Sequence, residues 1–374
     1  MARNRVFFNE LNLFVGPTGE FPCTGKHFGG GNTGDNLVAE LHRVQSASLD
    51  FSLNPTDIQE FGRADRVDAI FLDSPTVNLQ FTYFPLDGVN ESRLGFKAND
   101  INGSFLSGIL TEVTDTKNYF LTVSPAGIND DSNNSQTNRN VISIGNAYIT
   151  NYTFSASVGQ VPTVNVSVDG FNVRFDTGTS QKTIPAVNPS NGQTISTWNF
   201  TIPTGVTYTG AAIPAALRPG EIQLELPMTG ALGQYMSGSN SFHLQSFNLS
   251  IPMSRTDIGR IGTLFDFAKP LSLPLTATLT LDALVTELRA GSLSDLLCNY
   301  QNHDFRIKLK NPACPGTAAA DAIWIDFRNA KLQSESFGFG IGNNATTSAT
   351  FTAQISAGNS ATSGPFFSGI NATA

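Results

Sequence analysis

The sequence contains a stretch that returns 200 positions later without a gap. Its first occurrence reads Gln45-Ser46-Ala47-Ser48-Leu49, Thr56-Asp57-Ile58 and Gly62, and its second reads Gln245-Ser246-Phe247-Asn248-Leu249, Thr256-Asp257-Ile258 and Gly262. Beyond the glycines the first copy reaches Pro75 and the second reaches Pro274, one residue earlier in the repeat. The alternating segments 77–83 and 277–281 follow.

Further matches occur downstream in the same order. Residues 103–107 and 119–123 correspond to 291–294 and 305–309, and Asn146, Phe154 and Gly159 correspond to Asn329, Phe337 and Gly342. Ordered matches with a slowly drifting offset indicate a duplicated domain whose loops have gained and lost residues. A segment at 201–205 also faintly resembles residues 14–19, which predicts that the arm of the second copy lies between the copies.

The repeat divides the chain into four parts. We assign residues 1–43 to an N-terminal arm and glycine-rich loop, and residues 44–172 to the first copy. Residues 173–240 form a connecting segment with extra β elaboration. Residues 241–374 form the second copy with a flexible C-terminal tail.

Composition favours β-sheet with many turns. Charged residues make up 14% of the chain, against about 25% in ordinary globular proteins, and glycine is abundant at 34 residues. The net charge of −8 argues against a general nucleic-acid binder, which needs a basic patch to neutralise phosphates. It is compatible with a surface that nucleic acid passes without binding.

Periodicity predicts an all-β fold with one short helix per repeat. Residues 46–53, 77–83, 119–123, 148–158 and 164–168 read as strands, because apolar and polar residues alternate along most of them. Residues 103–110 read as the short helix, and Asn54-Pro55-Thr56-Asp57 predicts a helical turn. Residues 125–140 read as a long exposed loop.

The sequence shows no catalytic or metal-binding constellation, so we expect a protein that is not an enzyme and holds no cofactor. The histidines lack zinc-ligand spacing: His27, His42, His243 and His303. Asp57 and Asp257 read as caps of a helical turn or as partners of Arg63 and Arg260.

The remaining sequence features concern the cellular compartment in which the protein is made. Cys298 and Cys314 could bridge, although free thiols are favoured over a disulfide. No apolar run of about 20 residues and no signal-peptide core are present, which predicts no membrane association and synthesis in a cytoplasm.

Several segments of the first copy resemble the tail tube (major tail) proteins of long-tailed bacteriophages. They are residues 44–52, 57–63, 75–83 and 87–91 and the closing segment 148–170, and the resemblance covers roughly 44–170 and 242–355. The second copy departs at Leu284-Val285-Thr286, where the first has Asp87-Gly88-Val89-Asn90-Glu91. Its closing hairpin also differs, with residues 343–347 in place of Val161-Pro162-Thr163.

The resemblance implies a duplicated β-sandwich tube domain whose sheets join a large ring β-barrel. Rings would stack into a conduit for DNA and the tape-measure protein, and a chain with two tube domains would form homotrimeric rings. The implied partners are other copies of the chain, the tape-measure protein, and tail terminator or baseplate proteins, with DNA passing without specific binding. The implied location is the virion tail, after synthesis in the host cytoplasm.

Two sets of residues become candidates under this hypothesis. Polar residues that alternate with apolar ones on the strands are candidates to line the lumen: Asn78, Gln80, Thr82, Asn165, Ser167, Asp169, Thr278 and Thr280. Residues of the long loop are candidates for contacts between rings: Asp130, Asp131, Asn133, Asn134 and Arg139.

Two alternatives remain open at this point. Another virion β-sandwich protein, either capsid-decorating or part of a baseplate, would share the composition without closing a ring. A hydrolase or carbohydrate-binding module would need a carboxylate pair in a cleft or clustered exposed aromatic residues, and the sequence shows neither.

Overall fold

The structure is a computed structural model that describes the greater part of the chain. It describes residues 6–17, 38–72, 74–100, 103–111, 115–125, 127–130, 138–178, 182–188, 192, 202, 217, 222–225, 242–285, 302–310, 321–340, 344–356 and 362–369.

These residues form an all-β fold, as the sequence predicts. A 3-10 turn covers Phe8–Glu10, and the helices are α1 (Val89–Leu94) and α2 (Ser107–Leu110). The strands of the first half are β1 (Leu11–Pro17), β2 (Ala39–Glu40), β3 (Val44–Ser52), β4 (Pro55–Ile58), β5 (Asp68–Phe71), β6 (Thr76–Tyr83), β7 (Asn99–Asp100), β8 (Thr116–Val123), β9 (Asn140–Ser157), β10 (Thr163–Gly170) and β11 (Asn172–Asp176). Those of the second half are β12 (Ile222–Glu225), β13 (Phe242–Pro252), β14 (Thr276–Val285), β15 (His303–Lys310), β16 (Asp321–Gly338), β17 (Thr346–Gln354) and β18 (Gly364–Gly369).

Eight strands of a 16-stranded antiparallel sheet, here the main sheet, run through both copies in the order β3-β6-β10-β9-β13-β14-β17-β16. Its two longest strands, β9 and β16, extend beyond it. The first half of β9 pairs with β8 and β11, and the first half of β16 pairs with β15 and β18. These outer strands pack on the main sheet around one apolar core, where Phe81 meets Tyr119 and Phe305 meets Phe351.

Strand pairing repeats between the copies residue by residue. Leu49 faces Leu79 and Leu249 faces Leu279, both 200 positions on, and the pairing shifts by one residue at Gln45 and again at Gln245. The β9–β10 and β16–β17 pairs correspond at an offset of 183, including a bulge at Thr150 and Gln333. Asn146 and Asn329 both have positive φ, at 48° and 57°. The offset of 200 holds before and after Pro75 and Pro274. The one-residue difference in the position of these prolines is therefore not a deletion in the second copy. The domain boundaries themselves stay a prediction.

The helical turn predicted at residues 54–57 is wrong. Pro55–Ile58 is strand β4, which pairs with β5 in a two-stranded hairpin, here the first hairpin. Proline tolerates the first position of an edge strand because no ladder bond needs its nitrogen. Gly62 supplies the positive φ of 88° that the turn of this hairpin requires.

The predicted helices also differ in detail. Within residues 103–110 only Ser107–Leu110 is helical, and the first copy has a second helix, α1, that the periodicity missed. Its ends are marked by Gly88 and Gly95, both at positive φ. The segment 291–294 of the second copy, which corresponds to residues 103–107, lies outside the described residues.

The connecting segment contributes strands to both copies. β11 pairs with β9 in the first copy, and β12 pairs with β15 as β1 pairs with β8. β12, Ile222–Glu225, thus holds in the second copy the pairing position that β1 holds in the first. That this segment contains the arm of the second copy stays a prediction, and the segment 201–205 lies largely outside the described residues.

Helix α1 is fixed beneath the main sheet by a buried carboxyl group. Glu91 Oε1 accepts hydrogen bonds from the hydroxyls of Tyr83 at 2.8 Å and Tyr152 at 3.2 Å. Among the described residues Oε2 has no hydrogen-bond partner. Burial raises the pKa of Glu91 and outweighs the hydrogen bonds that lower it.

Candidate functional site

The main sheet has one apolar face and one polar face. On β6, Val77, Leu79, Phe81 and Tyr83 are buried in the core, while the residues between them reach the surface. The same alternation on β10 and β14 follows from strand geometry, since successive side chains point to opposite sides.

The structure brings all eight predicted lumen-lining residues onto the polar face. Asn78, Gln80 and Thr82 lie opposite Asp169, Ser167 and Asn165, and Thr82 donates a hydrogen bond to Asn165 at 2.6 Å. Thr278 and Thr280 lie on the same face in the second copy, opposite Ser250 and Asn248. Whether this face lines a bore stays a proposal.

The polar face is wider than the sequence reading suggested. Register extends it across the neighbouring strands through Ser46, Ser48, Asp50, Thr153, Ser155, Ser348, Thr350, Ser334 and Ser336. The alternation of polar and apolar residues at 46–52 already predicted the part of the polar face that lies on β3. The remaining strands could be added only once their pairing partners were known.

The polar face is concave where β3, β6 and β10 meet. A depression of about 200 Å³ lies there, and its polar lining consists of hydroxyl and amide side chains: Ser46, Ser48, Gln80, Thr82, Asn165 and Ser167. These groups form hydrogen bonds with water and carry no charge. A charged solute that passes over them therefore meets a hydrated surface and forms no ion pairs.

Charges on this face are few, and the acidic ones are partly neutralised. Asp169 is paired with Lys269 at 2.6 Å, and Asp282 accepts a hydrogen bond from Ser246 at 2.5 Å. Lys331 lies at the β16 end of the face, opposite Thr352. A polyanion therefore meets a mostly neutral surface, and phosphate binding is not favoured.

The main sheet ends in two unpaired edges within the described chain. At one end β3 pairs only with β6, and at the other the second half of β16 pairs only with β17. Both edges expose apolar side chains: Phe51 is 51% exposed, Phe337 46% and Phe339 69%. A strand that is unpaired along one edge and exposes apolar residues is a template for pairing with another chain.

The two free edges correspond to two strands that already pair inside the chain. β13 pairs with β9, with Leu249 opposite Phe154 and Phe247 opposite Ala156. We call this pairing the internal joint. In the repeat β3 corresponds to β13 and β16 to β9, so the two free edges correspond to the two sides of the internal joint.

The loop between β8 and β9 departs from its prediction. Asp130 and Arg139 are buried, with Arg139 Nε 3.2 Å from Asp130 Oδ1 and Arg139 Nη2 donating to the Asp130 carbonyl at 2.6 Å. Thr122 donates to the Asp130 carboxylate at 2.7 Å. The expectation that these two residues are exposed for contacts between rings is wrong, because the ends of the loop fold back onto β8. Asp131, Asn133 and Asn134 lie outside the described residues.

The predicted partners of the repeated aspartates are also wrong. Asp57 pairs with Arg66 at 3.0 Å, while Arg63 pairs with Asp65. Asp257 lies 3.3 Å from Lys269. The hairpin geometry explains this, because a strand carries the aspartate where a helical cap was expected.

Other candidate chemistry adds no second site. The described residues contain no group of three or more histidine, cysteine, aspartate or glutamate side chains that could hold a metal ion. They contain no helix long and apolar enough to span a membrane. His42 is buried, and its backbone exchanges hydrogen bonds with the Asn90 side chain. Cys298 and Cys314 lie outside the described residues.

No known family model matches this chain, and no curated protein matches it. The functional assignment therefore depends on the geometry of the main sheet and its two edges.

Proposed function

We propose that this protein is a structural component of a bacteriophage virion that polymerises as stacked rings into the tail tube. The observation that carries the proposal is the correspondence between the two free edges and the internal joint. A chain that makes a joint once and exposes both of its sides can repeat that joint with the next copy.

The edges differ from each other, so their contact is heterologous and propagates from chain to chain. Such contacts close into a ring when the rotation per step permits it. Three chains, each with eight strands in the main sheet, would then form a 24-stranded barrel with six similar joints. Closure removes both unpaired edges, which is the usual way in which β-proteins avoid open-ended association.

The polar face supports the orientation of the ring. A surface of hydroxyl and amide groups suits the inner wall of a water-filled bore, and the opposite face is already covered by the outer strands. Cationic walls would bind phosphates and slow the passage of DNA, whereas this face favours passage. The same bore would hold the tape-measure protein, and the tube ends would meet terminator and baseplate proteins. The chain would be made in the host cytoplasm and reside in the virion.

Electron microscopy of the purified full-length protein tests the proposal. We expect rings or tubes with a central channel at high protein concentration. Compact particles without a channel at every concentration would contradict it and would favour a decorating protein of the virion surface.

A further inference from the structure

The hairpin of the second copy, residues 253–275, is anchored to the first copy by buried charges. Arg255 donates to both carboxylate oxygens of Asp115, at 2.5 and 2.9 Å, and to the Ile149 carbonyl at 3.1 Å. Its guanidinium also lies 4.7 Å from the centre of the Tyr148 ring. Here we call this hairpin the second hairpin.

Two more residues hold the second hairpin in place. Lys269 is paired with Asp169 and lies 5.2 Å from the centre of the Phe171 ring. Phe265 packs against the cluster formed by Tyr148, Phe171 and Val187. The second hairpin thus rests on the first copy beside the internal joint.

The first hairpin has the same pairing but lacks these anchors. Pro55 pairs with Phe71 as Arg255 bridges to Leu271, and Ile58 pairs with Asp68 as Ile258 bridges to Ala268. Its residues from 53 to 72 are exposed except for the partly buried Ala69. Its ion pairs, Arg63–Asp65 and Arg66–Asp57, stay within the hairpin.

The repeat identifies what the first hairpin has in place of each anchor. Arg255, Phe265 and Lys269 correspond to Pro55, Asp65 and Ala69. On the surface beneath the second hairpin, Tyr148 corresponds to Lys331, and the pairs Tyr148–Asp169 and Lys331–Thr352 occupy the same register position. At these two positions the contact of Phe265 with the cluster that contains Tyr148 is therefore replaced by residues of opposite charge, Asp65 and Lys331.

We propose that the first hairpin of each chain docks on the second copy of the next chain, with Asp65 paired to its Lys331. This inference rests on the proposed ring and names the contact that accompanies each joint between chains. Lys331 is exposed at the start of the half of β16 that pairs with β17, beside the edge that β3 would meet. Asp65 is 70% exposed, and its present pair with Arg63 is a surface pair of the kind that stabilises weakly, so it can change partner at little cost.

The order of copies around the ring follows from what each copy already holds. The surface of the first copy is occupied by the second hairpin of the same chain, where Arg255 neutralises the largely buried Asp115. A first hairpin therefore docks on a second copy, and the copies alternate.

Charge reversal in the full chain tests the pair. Asp65→Lys and Lys331→Asp should each weaken ring assembly by about tenfold at low salt, because attraction becomes repulsion, and the double variant should restore most of the loss. Ring populations are measured by native mass spectrometry over a dilution series. Arg63→Ala is the matched control, and it should assemble at least as well as the natural chain.

The outcomes separate this inference from the proposed function. Rings that form equally well in both single variants, or a double variant no better than the singles, would overturn the Asp65–Lys331 contact and leave the ring intact. A natural chain that forms no rings would overturn both.

Discussion

Phe247 lies directly opposite Ala156 at the internal joint, and their counterparts at the free edges are Ala47 and Phe339. The large and small residues have exchanged sides between the two positions. Summed side-chain volume is therefore conserved, which is the condition under which a packed contact tolerates substitution best. The proposed joint between the two free edges would therefore bury about the same side-chain volume as the internal joint.

Phe339→Ala should impair assembly while leaving the chain folded. Phe339 is largely exposed, so its loss costs the single chain no more than about 0.5 kcal/mol. Phe247→Ala is the matched control, because Phe247 is buried and its truncation should lower the free energy of unfolding by roughly 3–5 kcal/mol. Sedimentation and denaturant unfolding measure the two effects, and unchanged assembly of Phe339→Ala would argue against this edge as a contact.

Lysine on the polar face should slow DNA passage without preventing tube assembly. The triple variant Asn78→Lys, Gln80→Lys and Thr278→Lys adds charges that meet phosphates, so ejection should become slower and more salt-dependent. Asn302→Lys, at an exposed position beside the outer strand β15, is the control. Ejection kinetics at two salt concentrations provide the measurement, and identical kinetics in all three phages would place the polar face outside the bore.

Removing Arg139 should destabilise the fold strongly. Arg139→Leu leaves the Asp130 carboxylate buried without its cation, which typically costs roughly 3–5 kcal/mol. Arg66→Leu breaks the exposed pair with Asp57 and should cost less than about 1 kcal/mol. Denaturant midpoints of the two variants test this, and similar midpoints would show that the buried pair contributes no more than the exposed one.

Glu91 should make stability fall as pH rises. Because burial raises its pKa in the folded state, the folded chain keeps a proton that the unfolded chain releases above about pH 4.3. The contribution of Glu91 to stability is therefore greatest below that pH. It declines as the pH rises, until the pH exceeds the raised pKa of Glu91 in the folded chain. Glu91→Gln retains an acceptor for the two tyrosines and removes this titration.

The stability difference between Glu91→Gln and the natural chain should therefore grow in favour of the variant between about pH 4.3 and neutrality. Unfolding free energies across this range measure it. The lowered pKa of Asp326, where two arginines outweigh the effect of burial, acts in the opposite direction but is common to both chains. Parallel pH profiles would contradict the role assigned to Glu91.

Local alternation was enough to predict the faces of the strands. Val77 to Tyr83 alternates cleanly, so Asn78 and Gln80 could be placed on the polar face before any partner strand was known. The repeat likewise made the equivalence of β3 and β13 visible in the sequence. The all-β class follows from these signals together.

Nonlocal contacts could not be predicted in this way. The internal joint pairs Phe247 with Ala156, about 90 residues apart, and nothing near either residue specifies the other. The burial of Asp130 likewise depends on Arg139 and on Thr122 of β8. The polar residues of 125–140 gave that segment the composition of an exposed loop. Pro55 suggested a helical turn because the same residue types begin helices and edge strands.

A cryo-electron microscopy reconstruction of the assembled protein would show whether the two free edges pair between chains. We expect three chains per ring, with β16 of one chain paired with β3 of the next and Phe337 opposite Leu49. Asn78, Gln80 and Thr278 should face the channel. Six chains per ring, unpaired β3 and β16 edges, or a polar face on the outer wall would contradict it.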